Sequence, residues 1–311
     1  MSTLLVTHSS FLHHDTGEWH PERPDRIRAI ERALSHPSFQ DLLTVEAPLA
    51  TPEQIVRCHP RAYFDFLETH QPKTELVPLD DGDTMLSPGS WEAALRSAGA
   101  AVYAVDEVMQ KRATNAFCLA RPPGHHAEIA KAMGFCLFNN AAVAAFHAKA
   151  VHGAERVAVV DFDVHHGNGT QAIFWNHADM FYASTHQMPL FPGTGGITER
   201  GEAENICNAP LRAGDGSDEF REAFESVVLP SLRRFSPDLV IISAGFDAHR
   251  SDPLANLNLS EPDYAWVTRK LVDVARERCG GRVVSVLEGG YDLSALGQSA
   301  AAHVKILLES F

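Results

Sequence analysis

Cysteine is scarce in this chain and forms no recognisable pattern. Cys58, Cys118, Cys136, Cys207 and Cys279 are odd in number, widely spread and without a C-x-x-C pair, which excludes a disulfide framework and a cysteine zinc site. Positive charge is also in deficit: 26 Lys and Arg stand against 40 Asp and Glu, a formal net charge of -14. A surface of that sign repels phosphates, so broad nucleic-acid binding is excluded while cationic substrates remain compatible. No apolar run is long enough to cross a membrane, and MSTLLVTHSS lacks both the basic start and the apolar length of a secretion signal. The expected location is the cytoplasm. No Pro/Gly/Ser-rich linker, charge block, low-complexity tract or internal repeat interrupts the 311 residues, so a single domain over 1–311 is expected.

What the chain does contain is a series of short apolar or β-branched runs: STLLVTH, NAFCLA, RVAVVDFD, MFYAST, DLVIISAG and RVVSVLEGG. Helical patterns alternate with them, with start signals at Ser87-Pro88, at Asp218, and at Ser260 followed by Asp263. That alternation predicts an α/β fold with a mostly parallel sheet, and the unbroken apolar VAVV and LVII predict strands covered on both faces. Polar loops follow the strands: RPPGHHA, DFDVHHGNG, THQMPLFPGTG, GFDAHRSDPL and EGGYDL. Ligands of such sheets bind outside the carboxyl ends of the strands, so the polar chemistry is expected on one rim.

The stretch VVDFDVHHGNGTQ is the densest of these. Alternation places Asp161, Asp163 and His165 on one side of an extended backbone, with Phe162 and Val164 on the other. A buried cluster of this kind is costly unless a cation offsets it. Asp163 and His165 are suitable ligands for a divalent metal, and Asp247, which also closes an apolar run, is the third candidate. Three such ligands leave positions for water and a substrate oxygen, a catalytic arrangement. The plainer alternative makes Asp163 a helix cap and Asp247 the start of a turn. His125 and His126, in a stiff PPGHH loop, have the chemistry to take a proton from water and return one to a leaving amine. Asp161 and Asn168 remain as orienting partners, and a carboxylate beside one ring and an amide beside the other would tune the two apart. Tyr291, after two glycines, offers a hydroxyl to a developing oxyanion. Phe135 and Phe191 are candidates for the walls of a narrow channel, against a reading as ordinary core.

Taken in order, HPERPDR (His20 to Arg26), RPPGHHA, GFCLFNN, DFDVHHGNGTQ, STHQMPLFPGTG, AGFDAHRSDPL and LEGGYD resemble the histone deacetylase superfamily, including its bacterial deacetylase-like, acetylpolyamine amidohydrolase and acetoin-utilisation branches. The resemblance implies a three-layer arginase-deacetylase α/β fold and hydrolysis of an acyl-amide by a metal-bound water, with Zn2+ usual and Fe2+ the alternative. It implies Asp163, His165 and Asp247 as zinc ligands. His125 and His126 become the tandem acid/base pair, partnered by Asp161 and Asn168, and Tyr291 the group that polarises the carbonyl. Phe135 and Phe191, with Gly134 and Leu254, line the acyl-lysine tunnel. A structural K+ beneath the zinc falls at Asp161, Asp163, His165 and Ser184.

Asn168 and GFCLFNN look like class II members of that superfamily. Leu254 stands where the polyamine-selective class II enzyme carries a glutamate, which ranks acyl-lysine of a peptide or protein above acetylpolyamines. A small-metabolite amidohydrolase and a non-catalytic acyl-lysine or metal-binding module are the competing functions, and a homo-oligomer stays open. A metal oxygenase is set aside, because its usual triad runs H-x-D whereas this motif runs D-x-H.

Overall fold

The computed structural model describes residues 2–310. Eight strands form one sheet: β1 (Thr3–Thr7), β2 (Leu43–Glu46), β5 (Asn115–Cys118), β6 (Val157–Asp161), β7 (Met180–Gln187), β8 (Ile206–Leu211), β9 (Leu239–Ala244) and β10 (Val283–Leu287). A small antiparallel pair, β3 (Val77–Pro78) and β4 (Met85–Leu86), stands apart. The order across the large sheet is β2-β1-β5-β10-β9-β6-β7-β8, and every neighbouring pair is parallel. All carboxyl ends therefore meet one rim. The chain runs from β5 outward to β6, β7 and β8, then returns to insert β9 and β10 into the gap. This return makes β5, β10, β9 and β6 adjacent, so the loops bearing His125, Tyr291, Asp247 and Asp163 converge at the middle of the rim.

Helices cover both faces, as the apolar strands demand: every residue of β5, β6, β9 and β10 is buried. On one side α4 (Ser90–Met109) packs on α5 (Asn140–His152); on the other α9 (Glu261–Cys279) packs on α10 (Leu293–Glu309), which packs on α1 (Asp25–Leu34). Phe162 points away from its acidic neighbours into this second face, its ring 6.0 Å from Phe246 and 5.9 Å from Tyr264. The expected alternation thus continues past the end of β6. A smaller cluster, built from Ile55, Tyr63, Phe64, Leu137 and Phe138, supports the loop after β5 from behind. There the Tyr63 hydroxyl donates to Leu137 O at 2.7 Å, and Asn139 N–H donates to His59 Nε2 at 3.0 Å.

Two helix starts differ from expectation. Ser87 does not cap α4, which begins at Ser90: the Ser87 hydroxyl accepts from Asp15 N–H at 2.9 Å instead. The segment after Asp218 begins at Ser217, with Glu219 accepting from Gly216 N–H at 3.0 Å. It divides into two α-helical pieces around a π-turn at Phe224–Val228, just before Pro230, which has no N–H to donate. Ser260 and Asp263 do form the capping box that opens α9.

Candidate active site

Asp163, His165 and Asp247 come together at the centre of the rim, their ligating atoms all within 4.8 Å of one another. The backbone holds both carboxylates, and His165 N–H donates to Asp163 Oδ1 at 2.9 Å. Gly289 N–H donates to Asp163 Oδ2 at 2.7 Å, and Val164 N–H donates to Asp247 Oδ1 at 2.9 Å. The other oxygens face His165 Nδ1, at 3.2 Å from Asp163 Oδ1 and 3.1 Å from Asp247 Oδ2. Two ligands about 2.0–2.1 Å from a common zinc at a tetrahedral angle lie roughly 3.3 Å apart, so these donors fit such an ion. The walls are equally close: a Cβ at Gly289 would meet Asp247 Oδ2 at 2.1 Å, and one at Gly245 would meet Asp163 Oδ2 at 2.0 Å. Both positions require glycine for the carboxylates to converge.

Charge follows from this packing. Burial opposes the imidazolium of His165, but hydrogen bonds to Asp163 and Asp247 outweigh it and lift His165 to about 10. Burial and the charge of Asp163 raise Asp247 to about 7. The two carboxylates thus favour positive charge at His165, and a metal bound there would displace its proton.

The tandem histidines sit beside this group with ring centroids 4.0 Å apart. His125 Nδ1 donates to Asp161 Oδ2 at 3.0 Å, an oxygen that also accepts from the Tyr182 hydroxyl at 3.0 Å. His126 Nδ1 donates to Asn168 Oδ1 at 2.8 Å, and Asn168 Nδ2 donates onward to Glu128 at 2.8 Å. The expected partners are therefore the partners found. They also separate the two rings: burial disfavours both imidazoliums, yet the charges of Asp163 and Asp161 hold His125 well above its ordinary value. His126 stays well below it, through burial and the neighbouring His125.

A cavity of about 340 Å³ opens onto these groups, lined by His20, Pro21, Asp83, His126, Gly134, Phe135, His165, Leu190, Phe191, Leu254 and Tyr291. Phe135 lies on the Tyr291 side, rings 5.9 Å apart, and Phe191 on the His126 side, rings 5.1 Å apart. Gly134 has positive φ and lies so close to His126 that a Cβ would stand 2.4 Å from its ring. Tyr291 is held by its backbone, its N–H donating to Asp252 Oδ2 at 2.7 Å, while Arg26 lies 5.0 Å over its ring. Ser184 is buried beside Asp161 in the β6–β7 register, its hydroxyl 2.9 Å from His186 Nδ1.

Sequence reasoning missed the supporting groups. Glu288 accepts from the backbone of the tandem-histidine loop; burial lifts it to about 7 while the His125 charge pulls the other way. Asp252 fixes the backbone of both Tyr291 and Leu254. Glu22 bridges Arg26 and Arg121, all three fully buried. The motifs HPERPDR, RPPGHHA, SDPL and LEGGYD contained these residues, but nothing in their spacing says which backbone they meet. A second Asp/His group, Asp106 with His147 and His152, joins α4 to α5. Arg57 donates to His147 Nδ1 at 2.8 Å, leaving both histidines to donate Nε2–H to Asp106 at 2.7 and 2.6 Å. That network is satisfied by protons alone.

A parallel sheet with its acid, imidazole and phenol groups gathered on one rim defines a hydrolase-like centre, and comparison with known proteins identifies its family. The histone deacetylase domain model matches residues 20–307, so the chain belongs to that family. A histone deacetylase-like amidohydrolase of Pseudomonas aeruginosa is 43% identical over 88% of this chain and 72% of its own length. Histone deacetylase 14, chloroplastic, of Arabidopsis thaliana is 39% identical over 98% of this chain and 76% of its own. The crystal structure of the HDA15 HD domain superposes with a TM-score of 0.93 at 39% identity, covering 99% of this chain and 88% of that one. The fold is that of the histone deacetylases, and membership supports deacetylase or amidohydrolase activity on acyl amines. No described helix is long and apolar enough to cross a membrane.

Proposed function

We propose that this chain, acting as one catalytic domain, is a zinc-dependent deacylase that removes acetyl or other acyl groups from lysine side chains. The observation that supports it is the convergence of Asp163, His165 and Asp247 with His125, His126 and Tyr291 beneath one narrow cavity. The cation held there would act as a Lewis acid toward the acyl carbonyl and toward a water molecule. His126, kept neutral, takes the proton from the attacking water, while His125 holds its charge against Asp161. Tyr291 donates to the carbonyl oxygen as negative charge gathers on it. A new C–O bond forms, the C–N bond breaks, and a histidine proton passes to the departing amine. Phe135 and Phe191 flank the aliphatic stem. A structural potassium ion at Asp161, Asp163, His165 and Ser184 completes the proposed site.

A small N-acyl amine such as an acetylpolyamine is the second reading, and one observation favours it: exposed Asp83 is among the residues lining the cavity and offers an anion to a distant ammonium, although Leu254 does not. The discriminating experiment measures metal content and kcat/KM on acetyl-lysine peptides, longer acyl-lysines and acetylpolyamines. One zinc-class ion per chain and peptide turnover that fails in excess chelator are expected. Undiminished turnover by metal-free protein refutes the metal assignment, and a strong preference for acetylpolyamines replaces the first substrate by the second.

A further inference from the structure

Between the tandem-histidine loop and the tyrosine loop lies a carboxylate that faces neither substrate nor metal group. Glu288 follows β10 directly and is fully buried. Its Oε2 accepts from Gly124 N–H at 2.7 Å and from His125 N–H at 3.1 Å; its Oε1 accepts from the Ser243 hydroxyl at 3.1 Å. Its own carbonyl is fixed by Arg26, which also donates to Gly290 O at 2.7 Å. No described Arg or Lys pairs with the Glu288 carboxylate, so only neutral donors and nearby imidazole charge compensate its burial. Bonds from backbone N–H to a carboxylate are short and directional, and leaving both donors unpaired in a buried site is costly.

The place of these bonds is what matters. Gly124 is pressed against α5, where a Cβ would meet Asn140 N at 2.6 Å, so the loop is closed on one side by a helix and on the other by Glu288. One residue on, Gly289 N–H holds Asp163 Oδ2, and Tyr291 lies two further. A single strand end thus sets the histidine backbone, one carboxylate of the metal group and the phenol in a common frame.

We propose that Glu288 is a positioning residue for the tandem histidines: its carboxylate fixes the Gly124–His125 backbone so that both imidazoles meet the amide in register with Tyr291. This rests on the amidohydrolase reading. Glu288→Ala frees two backbone donors and lets the loop shift, and a misplacement of about 1 Å costs on the order of a hundredfold in rate. The expected result is that fall in kcat on an acetyl-lysine peptide, with KM and metal content near wild type. Glu288→Gln keeps an acceptor oxygen for both N–H groups and turns its amide to the Ser243 hydroxyl, so it recovers most of the turnover. Amide hydrogen exchange over residues 121–127, which needs no substrate, should quicken in Glu288→Ala and not in Glu288→Gln.

The proposal is overturned if Glu288→Ala turns over like wild type, if its exchange is unchanged, or if it loses metal together with rate. It is equally overturned if the glutamine variant is as slow as the alanine one, because charge would then be the cause. Should the alanine variant fail to fold, Glu288→Asp, too short to reach both donors, takes its place against Glu288→Gln. Wild-type protein inert toward every acyl amine would sink the amidohydrolase reading, and the exchange comparison would still judge the positioning.

Discussion

Replacing Tyr291 with phenylalanine separates chemistry from folding more cleanly than any other single change at this site. Burial holds the phenol well above its ordinary pKa, against the pull of Arg26, so at neutral pH it is a donor. The ring packs against Phe135 and under the Arg26 guanidinium, contacts that phenylalanine preserves. The backbone N–H bond to Asp252 is untouched. A hydroxyl that borders the cavity leaves no buried partner behind when removed, so the expected stability change is within about 0.5 kcal/mol. The rate should respond quite differently. One oxyanion donor contributes about 3–4 kcal/mol, on the order of a hundredfold to a thousandfold in kcat. The assay is kcat on an acetyl-lysine peptide, with metal content and melting temperature measured on the same preparation. Turnover within a few-fold of wild type removes Tyr291 from the mechanism. A melting temperature or metal content that falls with the rate makes it a structural residue and refutes the reasoning.

Three further outcomes follow from the same geometry. His126→Ala should lose about a hundredfold to ten-thousandfold in kcat, the contribution of a positioned acid/base, and near-normal turnover contradicts its role. Leu254→Glu places a carboxylate at the cavity wall and should shift kcat/KM toward acetylspermidine relative to an acetyl-lysine peptide; an unchanged ratio means that this wall does not select substrate. Glu22→Gln leaves Arg26 and Arg121 buried without their shared countercharge, at a cost of about 3–5 kcal/mol in urea unfolding. A loss below about 1 kcal/mol would show that the carbonyls of Phe11, His14 and Gly290, to which these arginines also donate, suffice.

The six apolar runs all became strands, because a strand buried on both faces needs unbroken apolar sequence and that demand is visible residue by residue. The two missed strands of the large sheet lie at its edges. β2 is LTVE and mostly exposed, and β8 is ICNAPL with Pro210 inside it. An edge strand has one unpaired side, so β8 tolerates a proline, and the mostly exposed β2 leaves no hydrophobic signature. The ligand-like residues were legible for a related reason: Asp163, His165 and Asp247 are groups too polar to end an apolar strand without a purpose.

The same logic fails for Glu288 and Asp252, and the failure is informative. Asp163 and Glu288 are both fully buried carboxylates just past the ends of apolar strands, and by composition they are equivalent. Asp163 accepts from the backbone of Gly289 and His165 and also meets the His165 ring, whereas Glu288 accepts from the backbone of Gly124 and His125 and from the Ser243 hydroxyl. What separates them is the imidazole that Asp163 also meets, since both carboxylates accept from backbone N–H, a donor that every residue except proline carries. A side chain that acts on other side chains leaves a pattern of residue types, whereas one that acts on backbone leaves none. The groups proposed to do chemistry could therefore be picked out by type and position, whereas a carboxylate that braces backbone leaves no such pattern.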